Sequence, residues 1–141
     1  MNKPITAFTE EYFYLSNYFP RLVFYNDVMY KSSEAAFQAQ KDPARAREFA
    51  ELGAGAAKRL GQQVHLRPDW NAVKDTIMEE VVRCKFAQNQ DLKARLLSTK
   101  DAELIEGNWW GDTYWGVCNG IGENHLGKIL MKIREEFKQT T

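Results

Sequence analysis

The spacing of hydrophobic positions changes character once along the chain, near residue 32. Before it, Leu22-Val23-Phe24-Tyr25 and Val28-Met29-Tyr30 are β-branched and aromatic runs that flank Asn26-Asp27. Asn and Asp tolerate the positive φ of a two-residue turn, so an antiparallel hairpin is expected over residues 21–31. Residues 11–20 are aromatic, alternate poorly and end in Pro20, which reads as an aromatic loop or a short irregular strand. After it, apolar residues recur at helical spacing. Ser32 or Ser33 can cap a helix to about Gln40, and Asp42-Pro43 can open a second one to Leu52. A short helix over 54–60 stops at Gly61. Asp69 is placed to cap the longest helix, 70–88, with Val73, Ile77, Val81 and Cys84 as its apolar stripe. Asp91 opens a helix over 92–97, and 102–105 reads as a short strand. Residues 107–122, rich in glycine and tryptophan, follow no period and read as a long loop, of the kind that in compact domains carries function. A last helix over 124–137 buries Leu126, Ile129, Leu130, Ile133 and Phe137. The expected architecture is α+β: a mainly helical single domain over 1–141 with a small antiparallel sheet.

Composition narrows the classes. With 141 residues, 44% hydrophobic and 27% charged, the chain can hold one core and is not disordered. Lys plus Arg and Asp plus Glu number 19 each, so a strongly basic nucleic-acid coat is excluded while a local basic pocket is not. No apolar run approaches the ~20 residues of a membrane span. Cys84 and Cys118 make no disulfide framework, and no apolar leader follows Met1, which points to a cytoplasmic, disulfide-free domain. His65 and His125 lie far apart and neither cysteine has a C-x-x-C partner, so no metal site and no cofactor are expected.

Three stretches could carry chemistry. On a helix, Glu34, Phe37, Gln38 and Lys41 share one face, an acid, an amide and an amine beside an aromatic ring. The alternative is a solvated helix whose end charges complement its dipole. In Trp109-Trp110-Gly111-Asp112-Thr113-Tyr114-Trp115-Gly116, a carboxylate set among large aromatics would be partly desolvated, which suits general acid or base work, and flat indoles suit a nucleobase. The alternative is an Asp closing a turn through the backbone while the tryptophans pack on the core. Gly122-Glu123-Asn124-His125-Leu126-Gly127-Lys128 matches G-x-x-x-x-G-K but lacks the following Ser or Thr and any room for a strand–helix–strand unit, which excludes an NTPase. Its helix N-terminus and Lys128 still suit a phosphate. Lys58, Lys85 and Arg134 fit snorkelling surface residues, although Lys85 interrupts the apolar region of the longest helix.

In order, Tyr12-Phe13-Tyr14-Leu15-Ser16-Asn17-Tyr18, Tyr30-Lys31-Ser32-Ser33-Glu34, Gln38-Ala39-Gln40-Lys41, Ala57-Lys58-Arg59-Leu60-Gly61, Asp69-Trp70, Lys85-Phe86, Leu104-Ile105-Glu106, Asp112-Thr113-Tyr114-Trp115-Gly116 and the segment from Gly122 to Lys128 resemble the NADAR family over about residues 8–134. The resemblance implies a small α+β fold that cleaves an N-glycosidic bond between ribose C1′ and an exocyclic amine. In bacterial members the substrates are phosphorylated ribosylamino-pyrimidine intermediates of riboflavin synthesis. Other members remove ADP-ribose from guanine bases, including those in modified nucleic acid. It further implies a catalytic set of Glu34, Lys41 and Asp112, with Trp70, Trp110 and Trp115 near the base. Asn17, Gln38, Arg21, Lys58, Asn124 and Lys128 complete the expected binding set, the basic residues and the helix start near Asn124 holding phosphate. Many members carry His after the Ser-Glu pair, where this chain has Ala35. On this reading Lys41 is a Schiff-base nucleophile, and a carboxylate, Glu34 or Asp112, protonates the leaving amine and later activates water. The rival from another class is a sensor module that holds ADP-ribose or another nucleotide without cleaving it.

Overall fold

The computed structural model of the chain describes residues 2–140. Its contacts fall into two compact units, one spanning Asn17–Gln88 and the other joining the chain up to Ser16 with everything from Asn89 onward.

In the unit Asn17–Gln88 the hairpin forms as the pattern dictates. Strands β1 (Val23–Tyr25) and β2 (Val28–Tyr30) pair antiparallel, with Tyr25 opposite Val28. Asn26 and Asp27 both take positive φ, 48° and 66°, the requirement of the two-residue turn. Alternation then sorts the faces: Val23, Tyr25, Val28 and Tyr30 are buried, while Phe24 and Met29 face outward as a cross-strand pair. Helix α1 (Ser33–Ala39) follows at once, its start fixed by Ser32 Oγ, which accepts the Ala35 amide hydrogen at 3.1 Å. A 3-10 segment, Pro43–Phe49, stands where an α-helix to Leu52 was expected, and the Asp42 side chain makes no cap bond there. Two further helices complete the unit, α2 (Ala54–Gly61) and α3 (Trp70–Gln88).

Helix α3 has the expected bounds but a different buried face. Trp70, Ile77, Met78, Val81, Val82, Lys85 and Phe86 are buried, whereas Val73 and Cys84 are only half-buried. The stripe has rotated toward Phe86 because α1 and the hairpin pack on that side, and Gln88 closes it by exchanging two 2.8 Å hydrogen bonds with the Phe24 backbone. Asp69 does not cap this helix with its side chain; its carboxylate pairs with Arg67 at 2.6 Å, and its carbonyl accepts from Ala72 and Val73.

In the other unit, residues 11–15 coil into a 3-10 helix, Glu10–Leu15, which corrects the loop-or-strand expectation. Tyr14 and Leu15 can thereby both turn inward, and the Tyr14 hydroxyl donates to the Arg95 carbonyl at 3.0 Å. Helix α4 (Gln90–Ser98) packs with α5 (His125–Gln139), whose apolar stripe Leu126, Ile129, Leu130, Ile133 and Phe137 is buried as the spacing requires. The strand expected over 102–105 reduces to one parallel bridge between Ile5 and Leu104. The long loop is pinned across its base: β3 (Gly107–Asn108) pairs parallel with β4 (Val117–Cys118). Gly116 permits this closure, since a Cβ there would overlap the Glu106 carboxylate and carbonyl. Arg134 is no snorkelling surface residue; it is buried and donates to Thr99 Oγ1 and the Ala102 carbonyl at 2.9 and 2.8 Å. Among the described residues, no helix is long and apolar enough to cross a membrane, and no group of three or more His, Cys, Asp and Glu gathers as a metal site.

Candidate active site

Helix α1 is buried along its whole length although it carries Ser33, Glu34 and Gln38. Burial of a carboxylate costs several kcal/mol unless its oxygens find donors, so the side chains around it must be set by partners. The partners are local. Asn17 braces the start of the helix: its carbonyl accepts the Glu34 amide hydrogen at 3.0 Å, its Oδ1 accepts from Ser33 Oγ at 2.8 Å, and its amide reaches Met78 Sδ at 3.3 Å. One turn on, Gln38 Nε2 donates to Glu34 Oε2 at 2.7 Å, an i,i+4 contact of the kind the face predicts. A hydrogen bond to a charged acceptor contributes about 1.5–3 kcal/mol, enough to hold Glu34 in one rotamer.

Lys41 sits just past the helix, with its backbone clamped on both sides. Its amide donates to the Gln38 carbonyl at 3.1 Å and its carbonyl accepts from Arg67 at 2.9 Å. The side chain is half-buried, with Nζ 5.9 Å from the centre of the Trp70 ring. Trp70 is itself buried and meets Phe37 at 5.1 Å between ring centres, so α1 and the start of α3 supply one aromatic wall. Burial pushes the Lys41 amine below its usual range; the Glu34 charge opposes this, and the Lys58 charge adds to it. Lys41, Glu34, Lys58 and Trp70 are thus brought together, while Asp112, which the sequence reading grouped with Glu34 and Lys41, belongs to the other unit. Tyr18 belongs with them and escaped the sequence reading. Burial, and then the Glu34 charge, raise its phenol above the usual value. The only sequence signal was its place beside Asn17 in an aromatic run. Arg21 lies over Phe19, 5.7 Å from the ring centre, and Lys85 lies over the same ring at 5.8 Å. Lys85 is not a surface lysine. It is fully buried, which brings its amine down to about 7, with the Arg21 charge as the second cause.

The aromatic loop is built differently. Asp112 Oδ1 accepts the amide hydrogens of Tyr114 and Trp115 at 3.1 and 2.9 Å, and Asn108 exchanges hydrogen bonds of 3.0 and 2.9 Å with the Asp112 backbone. The acid therefore closes a turn. The indoles do not retreat into the core: Trp109 is 86% exposed and Trp110 52%, in edge contact at 5.5 Å. With Thr6, Phe8, Glu106 and Asn108 they line a hollow of about 550 Å³. Trp115 meets Tyr114 edge-on at 4.8 Å, and Tyr114 stacks on His125 at 4.3 Å. The amides at the start of α5, which an anion would need, are engaged: those of Asn124, His125 and Leu126 donate to the carbonyls of Gly116, Tyr114 and Trp115. Asn124, at φ 55°, is buried and bonds the Glu106 amide and the Leu104 carbonyl. Lys128 stands exposed on the first turn.

Comparison with known proteins gives this arrangement a class. A family model for the NADAR domain matches residues 3–138. The N-glycosidase YbiA of Shigella flexneri is 35% identical over 92% of this chain and 84% of its own length. A riboflavin biosynthesis protein of Vibrio vulnificus is 36% identical over 99% of this chain, which spans 40% of that longer protein. The solution structure of the Escherichia coli protein YbiA superposes with a TM-score of 0.86 at 32% identity, covering 99% of this chain and 88% of that one. The fold and these relatives define an enzyme of the glycosidase class. The chain belongs to the NADAR family.

Proposed function

We propose that this glycosidase releases a base from a phosphorylated ribosylamino-pyrimidine, an intermediate of riboflavin synthesis, through a Schiff base on Lys41. The observation that carries the reading is the half-buried Lys41 amine, lowered by burial, beside the buried Glu34 carboxylate and under Trp70. A nucleophilic lysine needs a free electron pair near neutral pH, and desolvation supplies one. The names of the Shigella and Vibrio relatives, one an N-glycosidase and one a riboflavin biosynthesis protein, support this substrate class.

The substrate's ribose C1′ bears an exocyclic N–H. Opening of the sugar ring moves that proton to the ring oxygen and leaves a C1′=N imine. The Lys41 amine adds to C1′. Proton transfer from its ammonium through Glu34 to the departing nitrogen breaks the C1′–N bond and expels the base as an amine, leaving C1′ doubly bonded to Nζ. Water then adds to C1′ while Glu34 takes its proton, and collapse of the adduct frees Lys41 and the phosphorylated sugar. In sum, one water replaces one base. Trp70 and Phe37 supply the apolar wall that keeps the amine dry, Tyr18 flanks Glu34, and Lys58 and Arg21 are the cations offered to the phosphate. Asp112 serves its own loop, whose turn it closes through the Tyr114 and Trp115 amides.

The test is borohydride trapping with a ribosylamino-pyrimidine phosphate, with an ADP-ribosylated guanine nucleoside as the second arm. The expected outcome is base release and a covalent adduct on Lys41 with the first substrate, both lost in Lys41→Ala. Adduct formation with the guanine substrate alone would reassign the substrate. Tight binding of either compound with no base released would make the protein a sensor.

A further inference from the structure

Gln38 presents an anomaly that the reaction scheme leaves unused. Its Nε2 is committed to Glu34 Oε2, which fixes the orientation of the amide, and its Oε1 is then fully buried with no hydrogen-bond partner among the described residues. An orphaned buried carbonyl oxygen is costly, so something must hold the amide in that pose against the pull of a better-satisfied one. The neighbour is Gly61, the last residue of α2. A Cβ at position 61 would overlap Gln38 Oε1 and lie 2.9 Å from its Cδ and 3.3 Å from its Cβ. Gly61 has ordinary backbone dihedrals, so glycine is not required there by conformation. What requires it is space: the amide of Gln38 occupies the volume that any side chain would fill. The overlapped atoms cannot simply swing aside, because Gln38 is packed on a helix whose every residue is buried.

We infer that Gly61 and Gln38 are positioning residues for the reaction, acting in series on Glu34: the bare Cα of Gly61 makes the slot in which the Gln38 amide lies, and that amide holds the carboxylate. An amide NH₂ can only donate, so the contact fixes Glu34 Oε2 as an acceptor and with it the orientation of the carboxylate. The inference rests on the proposed acid–base role of Glu34. It adds that the rate depends on a residue on another helix that never meets the substrate.

The experiment is a four-way kinetic cycle on base release, comparing wild type, Gly61→Ala, Gln38→Ala and the double variant, with kcat and KM separated and a thermal melt of each. Series action predicts that Gly61→Ala and Gln38→Ala each lower kcat by about tenfold or more with KM changed less than about threefold. It also predicts that the double variant is no slower than Gln38→Ala alone, since both changes remove the same hydrogen bond. The melting point lost in Gly61→Ala should return in the double variant, where the overlap is gone. That double variant also keeps the test informative if Gly61→Ala alone does not fold. Losses that multiply, or a Gly61→Ala enzyme with wild-type kcat, would overturn the inference. Wild-type protein that releases no base would instead refute the function, which separates the two failures.

Discussion

Helix α1 and the aromatic loop each place one carboxylate among aromatic rings, yet the two acids live differently. Glu34 is buried, and its Oε2 accepts from a side chain one turn away; Asp112 is half-buried, and its Oδ1 is bound by backbone amides two and three residues on. A side-chain partner on a packed helix ties the carboxylate to another side chain. Backbone amides make the carboxylate part of the turn. The neighbours follow suit. Around α1 the rings are packed, with Trp70 against Phe37, whereas Trp109 and Trp110 stand open to solvent. Proximity of acid and indole in sequence therefore does not make a desolvated acid; the source of the acid's hydrogen bonds does.

The comparison breaks most visibly in kinetics. Lys41→Ala and Glu34→Gln should each lower kcat for base release by about two to four orders of magnitude. Asp112→Asn should change it by less than about fivefold, because an Asn oxygen accepts the same two amides. An Asp112→Asn enzyme as crippled as Glu34→Gln would give the loop acid a proton-transfer role and erase the distinction. Next in size is stability. Asp112→Ala leaves two amides without their acceptor and should cost about 1–3 kcal/mol in denaturant melts, an effect that Asp112→Asn should not reproduce.

Lys85 sharpens the contrast through pH. Burial brings its amine down to about 7 in the folded protein from the ordinary lysine value of 10.5, so between these the unfolded chain carries a proton that the folded one lacks. Stability should therefore rise with pH through this window, by about 1–2 kcal/mol from pH 7 to 8.5, and Lys85→Met should flatten that rise. The window is best read below pH 9, where the Cys84 thiol, raised by burial, begins to act in the opposite sense. The smallest effect is expected from Lys58→Ala. The Lys58 charge helps hold the Lys41 amine low, so its removal should move the ascending limb of the pH–rate profile to higher pH. A limb that stays in place would detach Lys58 from the nucleophile.

Much of the architecture was legible. The hairpin turn, the Ser32 cap, the bounds of α3 and the stripe of α5 all follow from local rules that act within a few residues. The pairing of Glu34 with Gln38 was legible for the same reason, since helical spacing aligns them, whereas Lys41 lies just past the helix. The misses share a cause as well. The 3-10 coil at Glu10–Leu15, the parallel pairing at the base of the loop and the rotated face of α3 are settled by partners distant in sequence. Lys85 and Arg134 look like surface cations in any linear reading, and burial is a property of what packs over them.

Spacing and capping chemistry in the chain were thus enough to establish most of the helices, the hairpin and a helical face bearing an acid and an amide. Packing alone decided that α1 is buried along its length, that the Lys41 amine lies 5.9 Å from the Trp70 ring centre, that the α5 amides are spent on the loop, and that a glycine on α2 lies against the amide holding Glu34. The physical reason is one of range. Hydrogen bonds at turns and caps are local, whereas desolvation and excluded volume depend on every atom that folding brings near.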